Sequence, residues 1–174
     1  QINPHFLYNT LESIRSKALL RDEEEIATMI ETLARLFRYN ISQRNTESSI
    51  LDELENVKNY VRIQNYRFRD KFTLKLELDD LGELPENYMM PTLTLQPIVE
   101  NCVNHGIREM SGEGRIWLKV YHGEEDTLVI SIRDNGIGMD AEIIEKLRNG
   151  TYHEERQSSG SNGIAMGNVI ARLK

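Results

Sequence analysis

The sequence predicts an α+β chain: a helical N-terminal segment over 1–69, then a segment over 70–174 that combines helices with a sheet. Two observations predict it. Residues 6–69 contain neither glycine nor proline, and their apolar side chains recur at three and four positions, the spacing of one helical stripe. After Asp70 the period changes to two: Phe72, Leu74, Leu76 and Leu78 alternate with Thr73, Lys75 and Glu77, as in a strand with one buried face.

Each element follows in order. Asn3 suits a helix N-cap, Pro4 the first helical position and His5 the first turn. Should the helix run on upstream instead, Pro4 marks a kink. The acidic run Asp22 to Glu25 favours the start of a second helix, striped by Ile26, Met29, Ile30, Leu33, Leu36 and Phe37. A third begins after Ser48 or Ser49, with Glu53 placed to help cap it and Leu51, Leu54, Val57, Val61 and Phe68 as its stripe. Such stripes must pair with one another or across a homodimer. Beyond the first strand, Leu93 to Ile107 reads as a mostly apolar helix. Ile116, Leu118 and Val120 mark a second strand, and Leu128, Ile130 and Ile132 a third. Ala141 to Leu147 reads as a helix and Gly150 to Gly163 as a loop. The sheet is expected to be mixed or antiparallel.

Composition narrows the function classes. The 174 residues carry 21 Lys+Arg against 28 Asp+Glu, a net charge of −7, which argues against a phosphate-gripping nucleic-acid binder. A single cysteine, Cys102, permits no internal disulfide and fits a reducing, cytoplasmic setting. No run approaches the ~20 apolar residues of a membrane span, and the first residues do not form a signal peptide. Both ends read as lying inside helices, so the sequence is expected to be a fragment.

Four groups of residues suggest chemistry. Asp134-Asn135-Gly136-Ile137-Gly138 follows a strand, where a carboxylate can accept from an amino group and glycines allow close approach. The same residues would also serve a plain strand-ending turn. Glu100, Asn101, Asn104 and His105 gather polarity on one face of the apolar helix, and the Asn101 amide oxygen suits Mg²⁺. Capping or backbone hydrogen bonding would also account for them. Cys102 reads as a small apolar residue. Gly160 to Val169 ends the loop at a helix start, where backbone amides bind phosphate, although a solvated linker has similar composition. At the N-terminus, the positive end of the helix dipole would favour a phosphoryl group at His5, with Asn9 one turn on to orient the ring. A lone histidine on a helix also needs no function.

Together these residues resemble the sensor histidine kinases of two-component systems, in the LytS/YehU-like subgroup. Gln1 to Asn9 matches its phosphoacceptor motif QxNPHFLFN with Tyr8 for the usual Phe. Leu95 to Asn101 with His105-Gly106 matches the N box, and Asp134 to Gly138 the first glycine box. The resemblance implies a Bergerat-type (GHKL) ATP-binding domain behind dimerising helices. His5 would be the phosphoacceptor and Asn101 the Mg²⁺ ligand. Asp134 would bind the adenine amino group, with Gly136 and Gly138 shaping the pocket and Asn104 and His105 near the nucleotide. Residues 150–161 would form the ATP lid, and Gly163 and Gly167 would bring the last helix to the phosphates. Cofactors would be ATP and Mg²⁺, and the partner a response regulator whose aspartate receives the phosphoryl group. The parent protein would be anchored in a membrane by segments outside this sequence.

Three departures stand out. Ala165 and Met166 replace Gly and Leu of the second glycine box. Phe6 follows the histidine where many kinases carry a carboxylate, which leaves Glu100 as a candidate base. Pro97 occupies the position of the water-activating glutamate of gyrase-type ATPases. The family's sheet also continues beyond the last helix, so an exposed sheet edge is expected. A dimeric signalling module with a degenerate ATP site is the alternative reading.

Overall fold

A computed structural model of the chain describes residues 3–41, 46–79, 88–108, 110–124, 127–149 and 169. Helices α1 (Pro4–Leu19) and α2 (Glu24–Ile41) form a hairpin, and α2 packs on α3 (Ile50–Phe68). Strands β2 (Phe72–Leu78), β4 (Gly114–His122) and β5 (Leu128–Asp134) form one sheet. In it β2 runs parallel to β4, with Phe72 opposite Gly114, and β4 runs antiparallel to β5, with Ile116 opposite Asp134. Helix α4 (Leu95–Asn101) continues into a π-helical segment, Cys102–Ile107, and α5 (Ala141–Arg148) follows β5.

The expected α+β architecture with a mixed sheet is the one observed. Two short strands were not expected: β1 (Glu47–Ser49) and β3 (Met89–Pro91), which pair antiparallel. Three residues are too few to display a period of two, so no pattern announces them. The pair brings the start of α3 next to the chain entering α4, and Ile50 N–H donates to the Tyr88 carbonyl at 2.9 Å.

The core lies between one face of the sheet and the helices. Leu54, Val57 and Val61 of α3 meet Leu95 and Val99 of α4, Val103 and Ile107 of the π segment, and Phe72, Ile116, Leu118 and Val120 of the sheet. The opposite strand face carries Lys75, Arg115 and Arg133, which are exposed, as the alternation required. In α2 the stripe is shifted from expectation: Ala27, Ile30 and Thr32 are buried, whereas Ile26 is exposed.

The start of α3 corrects one expectation. Ser49 is the N-cap, but its partner is Asp52, whose N–H donates to Ser49 Oγ at 3.1 Å and whose Oδ2 accepts from that hydroxyl at 2.8 Å. A residue must sit three after the cap to reach back, and Glu53 is four after it. Glu53 turns instead into the core and accepts from the amides of Leu93, Thr94 and Leu95, at the beginning of α4.

The far end of α3 is clamped by Asn65. Its Oδ1 accepts from Phe72 N–H at 2.9 Å and its Nδ2 donates to Phe72 O at 2.7 Å, across a turn in which Arg69 and Asp70 both have positive φ. Asn65→Leu removes both bonds and leaves the Phe72 amide without its partner. The expected cost is about 2–3 kcal/mol of stability, read as a lower midpoint in chemical denaturation.

Candidate functional site

A cavity of about 170 Å³ lies between the α4–π helix and the loop that leaves β5. One wall is Ile98, Asn101, Cys102 and His105; the other is Ile132, Asp134, Gly138 and Met139, with Gly106 between them. Thus Asn101, His105, Asp134 and Gly138, four residues singled out from separate parts of the sequence, line one space.

The π segment sets the helical wall. Arg108 N–H donates to Val103 O, five residues back, at 3.0 Å, so each turn is wider than an α-turn. Val103, Gly106 and Ile107 are buried and Asn104 and His105 exposed. The four polar residues expected on one face therefore divide. Asn101 and His105 line the cavity, while Asn104 does not. Glu100 is also outside it and accepts from Gln96 Nε2 at 2.7 Å; Gln96 Oε1 in turn accepts from Asn56 Nδ2 at 2.5 Å.

The opposing loop is fixed by backbone contact. Asp134 Oδ1 accepts from Gly136 N–H at 2.8 Å, and Ile137 N–H donates to Gly106 O at 3.0 Å. A Cβ on Gly136 would lie 2.3–2.5 Å from the backbone of Gly106, and a Cβ on Gly106 would lie 2.8 Å from Asp134 Oδ1. The two glycines therefore meet where helix and loop touch, and a side chain on Gly136 would force the two apart. Asn135 fixes the end of β5: its Oδ1 accepts from Arg115 N–H at 2.7 Å and its Nδ2 donates to Glu113 O at 3.2 Å. Gly138 has φ 77°, a conformation that a side chain disfavours.

Burial, with the Asp134 carboxylate beside it, pushes the Cys102 thiol up to about 12. The thiol is therefore neutral, and with Ile98, Ile132 and Met139 it gives the cavity apolar walls around one carboxylate. Sequence reasoning placed Ile98 and Gly106 in the N box and Ile132 on a strand, but gave neither these three nor Met139 a part in the site. The helical spacing of Ile98, Asn101, Cys102 and His105 was the available signal for the helical wall.

His5 lies on another element. Asn3 Oδ1 accepts from His5 N–H at 3.0 Å, Pro4 opens α1, and Asn9 Nδ2 approaches His5 Nδ1 at 3.3 Å and Nε2 at 3.4 Å. The ring is exposed beside Phe6, itself 68% exposed. Neither His5 nor Asn9 lines the cavity. Gly163, Gly167, Ala165, Met166 and the lid expected over 150–161 lie outside the described residues. No helix among the described residues is long and apolar enough to cross a membrane.

The family described as "Histidine kinase" matches residues 1–72, and that described as "Histidine kinase-, DNA gyrase B-, and HSP90-like ATPase" matches residues 91–173. The sensor histidine kinase YesM of Bacillus subtilis is 34% identical over 173 residues, covering 99% of this chain and 27% of that protein. The sensor histidine kinase YpdA of Escherichia coli is 34% identical over 175 residues, 100% of this chain and 29% of that protein. The sensor protein LytS of Staphylococcus saprophyticus is 31% identical over 99% of this chain and 28% of its own length. A histidine kinase domain from Erythrobacter litoralis EL346 aligns over 97% of this chain and 83% of its own, at TM-score 0.46 and 10% identity. The chain thus spans less than a third of the length of these three relatives. With its two regions matching in this order and such relatives aligned along its length, the chain belongs to the sensor histidine kinases, in the subgroup that includes LytS.

Proposed function

We propose that this chain is the kinase core of a two-component sensor. In this reading ATP binds in the cavity between the α4–π helix and the β5 loop, and its γ-phosphoryl group passes to His5. A response-regulator aspartate then receives it. The helical segment, 1–69, would dimerise and present the histidine, and 70–174 would hold the nucleotide, on the cytoplasmic side of a membrane-anchored protein. The observation that carries this reading is the convergence of Asn101 and Asp134, 33 positions apart in sequence, on one cavity with apolar walls.

The residues fit the ligand. A flat base suits a slot walled by Ile98, Ile132 and Met139, and Asp134 supplies an acceptor for an exocyclic amino group. The Asn101 amide oxygen is a hard donor of the kind Mg²⁺ takes together with phosphate oxygens and water. When bound, Mg²⁺ would neutralise charge on the phosphates being parted. Asn9 would hold the ring of His5 in place. A ring nitrogen would form the bond to phosphorus as the bond to the bridging oxygen of ADP breaks, ADP leaving with the electron pair. The exposed ring can release its proton to water. Glu100, already accepting from Gln96, is the weaker candidate for a base.

The test is incubation of the intact protein with γ-labelled ATP and Mg²⁺, beside His5→Ala and Asn101→Ala. The parent is expected to take up acid-labile, base-stable label. His5→Ala is expected to take up none while still binding nucleotide, and Asn101→Ala to lose about 99% of the labelling rate. Binding without label in the parent would favour the non-catalytic signalling module. Label that survives His5→Ala would refute the acceptor assignment.

A further inference from the structure

Among the described residues, Glu53 is the charged side chain in the fully buried set, at 0% exposure, and the reaction proposed above makes no use of it. Its carboxylate collects donors from three elements. The Tyr39 hydroxyl of α2 lies 2.5 Å from Oε1 and the Ser48 hydroxyl of β1 lies 3.3 Å from it. Leu93 N–H donates to Oε1 at 2.6 Å, and the amides of Thr94 and Leu95 donate to Oε2 at 2.9 and 2.8 Å. These three consecutive amides belong to the turn that launches α4. Leu93 in that turn has φ 56°, a left-handed conformation that a leucine adopts reluctantly. It persists where surroundings over-determine it, and a single carboxylate gripping three adjacent amides does so.

Position gives this grip its meaning. Helix α4 runs from Leu95 to Asn101, so the turn held by Glu53 sets the start of the helix that ends at Asn101. Tyr39 lies on α2, which packs against α1, the helix of His5. We propose that Glu53 is a positioning residue for the nucleotide site, and that Tyr39 makes it the joint coupling the hairpin that carries His5 to the helix that carries Asn101. The proposal rests on reading the cavity as the nucleotide site. A glutamine at 53 would keep one acceptor oxygen and turn an NH₂ toward amides that are themselves donors, which releases the turn. A phenylalanine at 39 would leave the amide bonds in place and remove the tie to α2.

The experiment measures Mg·ATP affinity, the labelling rate at saturating ATP and amide hydrogen exchange in the intact protein, for Glu53→Gln, Tyr39→Phe and Asn65→Leu. Glu53→Gln is expected to weaken Mg·ATP about tenfold and to speed exchange at residues 93–95 about a hundredfold. Tyr39→Phe is expected to hold affinity within about twofold while labelling slows about fivefold, a split that general loss of stability does not produce. Asn65→Leu, which loosens the other end of α3, is expected to lower the melting temperature without either signature. Affinity and rate falling together in Tyr39→Phe, or neither changing, overturns the coupling. Unchanged exchange at 93–95 in Glu53→Gln overturns the positioning role. A parent that binds no Mg·ATP would refute the nucleotide reading instead, and the exchange comparison would still decide what Glu53 holds.

Discussion

Asp134→Asn is expected to reduce Mg·ATP affinity about a hundredfold, equivalent to about 2.7 kcal/mol, with little change in melting temperature. The reason lies in how the carboxylate is already used. Its Oδ1 accepts from Gly136 N–H at 2.8 Å, a bond that shapes the loop. An asparagine in the same pose must spend its carbonyl oxygen on that amide and turn its NH₂ to the cavity. A base presenting an amino group would then face donor against donor, with the loss of an ionised acceptor added to the cost. The variant is nearly isosteric, so the fold should be kept. Isothermal titration with Mg·ATP reads the effect directly. An affinity within about threefold of the parent would mean that no amino group is read at Asp134.

Gly136→Ala should do comparable damage by a different route. The added methyl would stand 2.3–2.5 Å from backbone atoms of Gly106, with no flexible side chain to move aside. Helix and loop must separate, and the Ile137 N–H bond to Gly106 O goes with them. Overpacking of this kind costs about 1–3 kcal/mol in stability. The melting temperature should fall by a few degrees, and Mg·ATP affinity by about fiftyfold, because the two cavity walls move relative to each other. Gly138→Ala is a useful contrast, since among the described residues nothing lies within 4 Å of its Cβ and the penalty there is φ 77°. Its loss should be about tenfold at most. Equal effects at 136 and 138 would mean that backbone conformation, and not the contact with Gly106, controls the site.

The contrast between these glycines marks what the sequence could convey. Spacing alone placed β2, β4 and β5, because each has at least three alternating apolar positions facing the helices. It also brought out Asn101, His105, Asp134 and Gly138, since polar residues in an apolar helix and glycines after a strand break a local rule. What stayed hidden is what depends on pairs distant in sequence. The carboxylate of Glu53 finds amides 40 to 42 positions away. Gly106 matters because Gly136 lands on it. Strands β1 and β3 are three-residue partners of one another. The π segment was hidden for another reason: Cys102–Ile107 satisfies the same apolar pattern as an α-helix over so short a stretch. That is why Asn104 was grouped with residues from which the wider turn separates it.

The parallel pairing of β2 with β4 also has a kinetic side. The β4–β5 hairpin and the α1–α2 hairpin join neighbours in the chain and can close quickly, whereas Phe72 meets Gly114 only after some forty intervening residues have been looped back. That loop contains α4 and the π segment. A folding chain can therefore complete both hairpins early, but the helical wall of the cavity must wait for the slow long-range closure. Nucleotide should then stabilise the finished domain without catching it half made, slowing its unfolding while leaving its rate of folding almost unchanged.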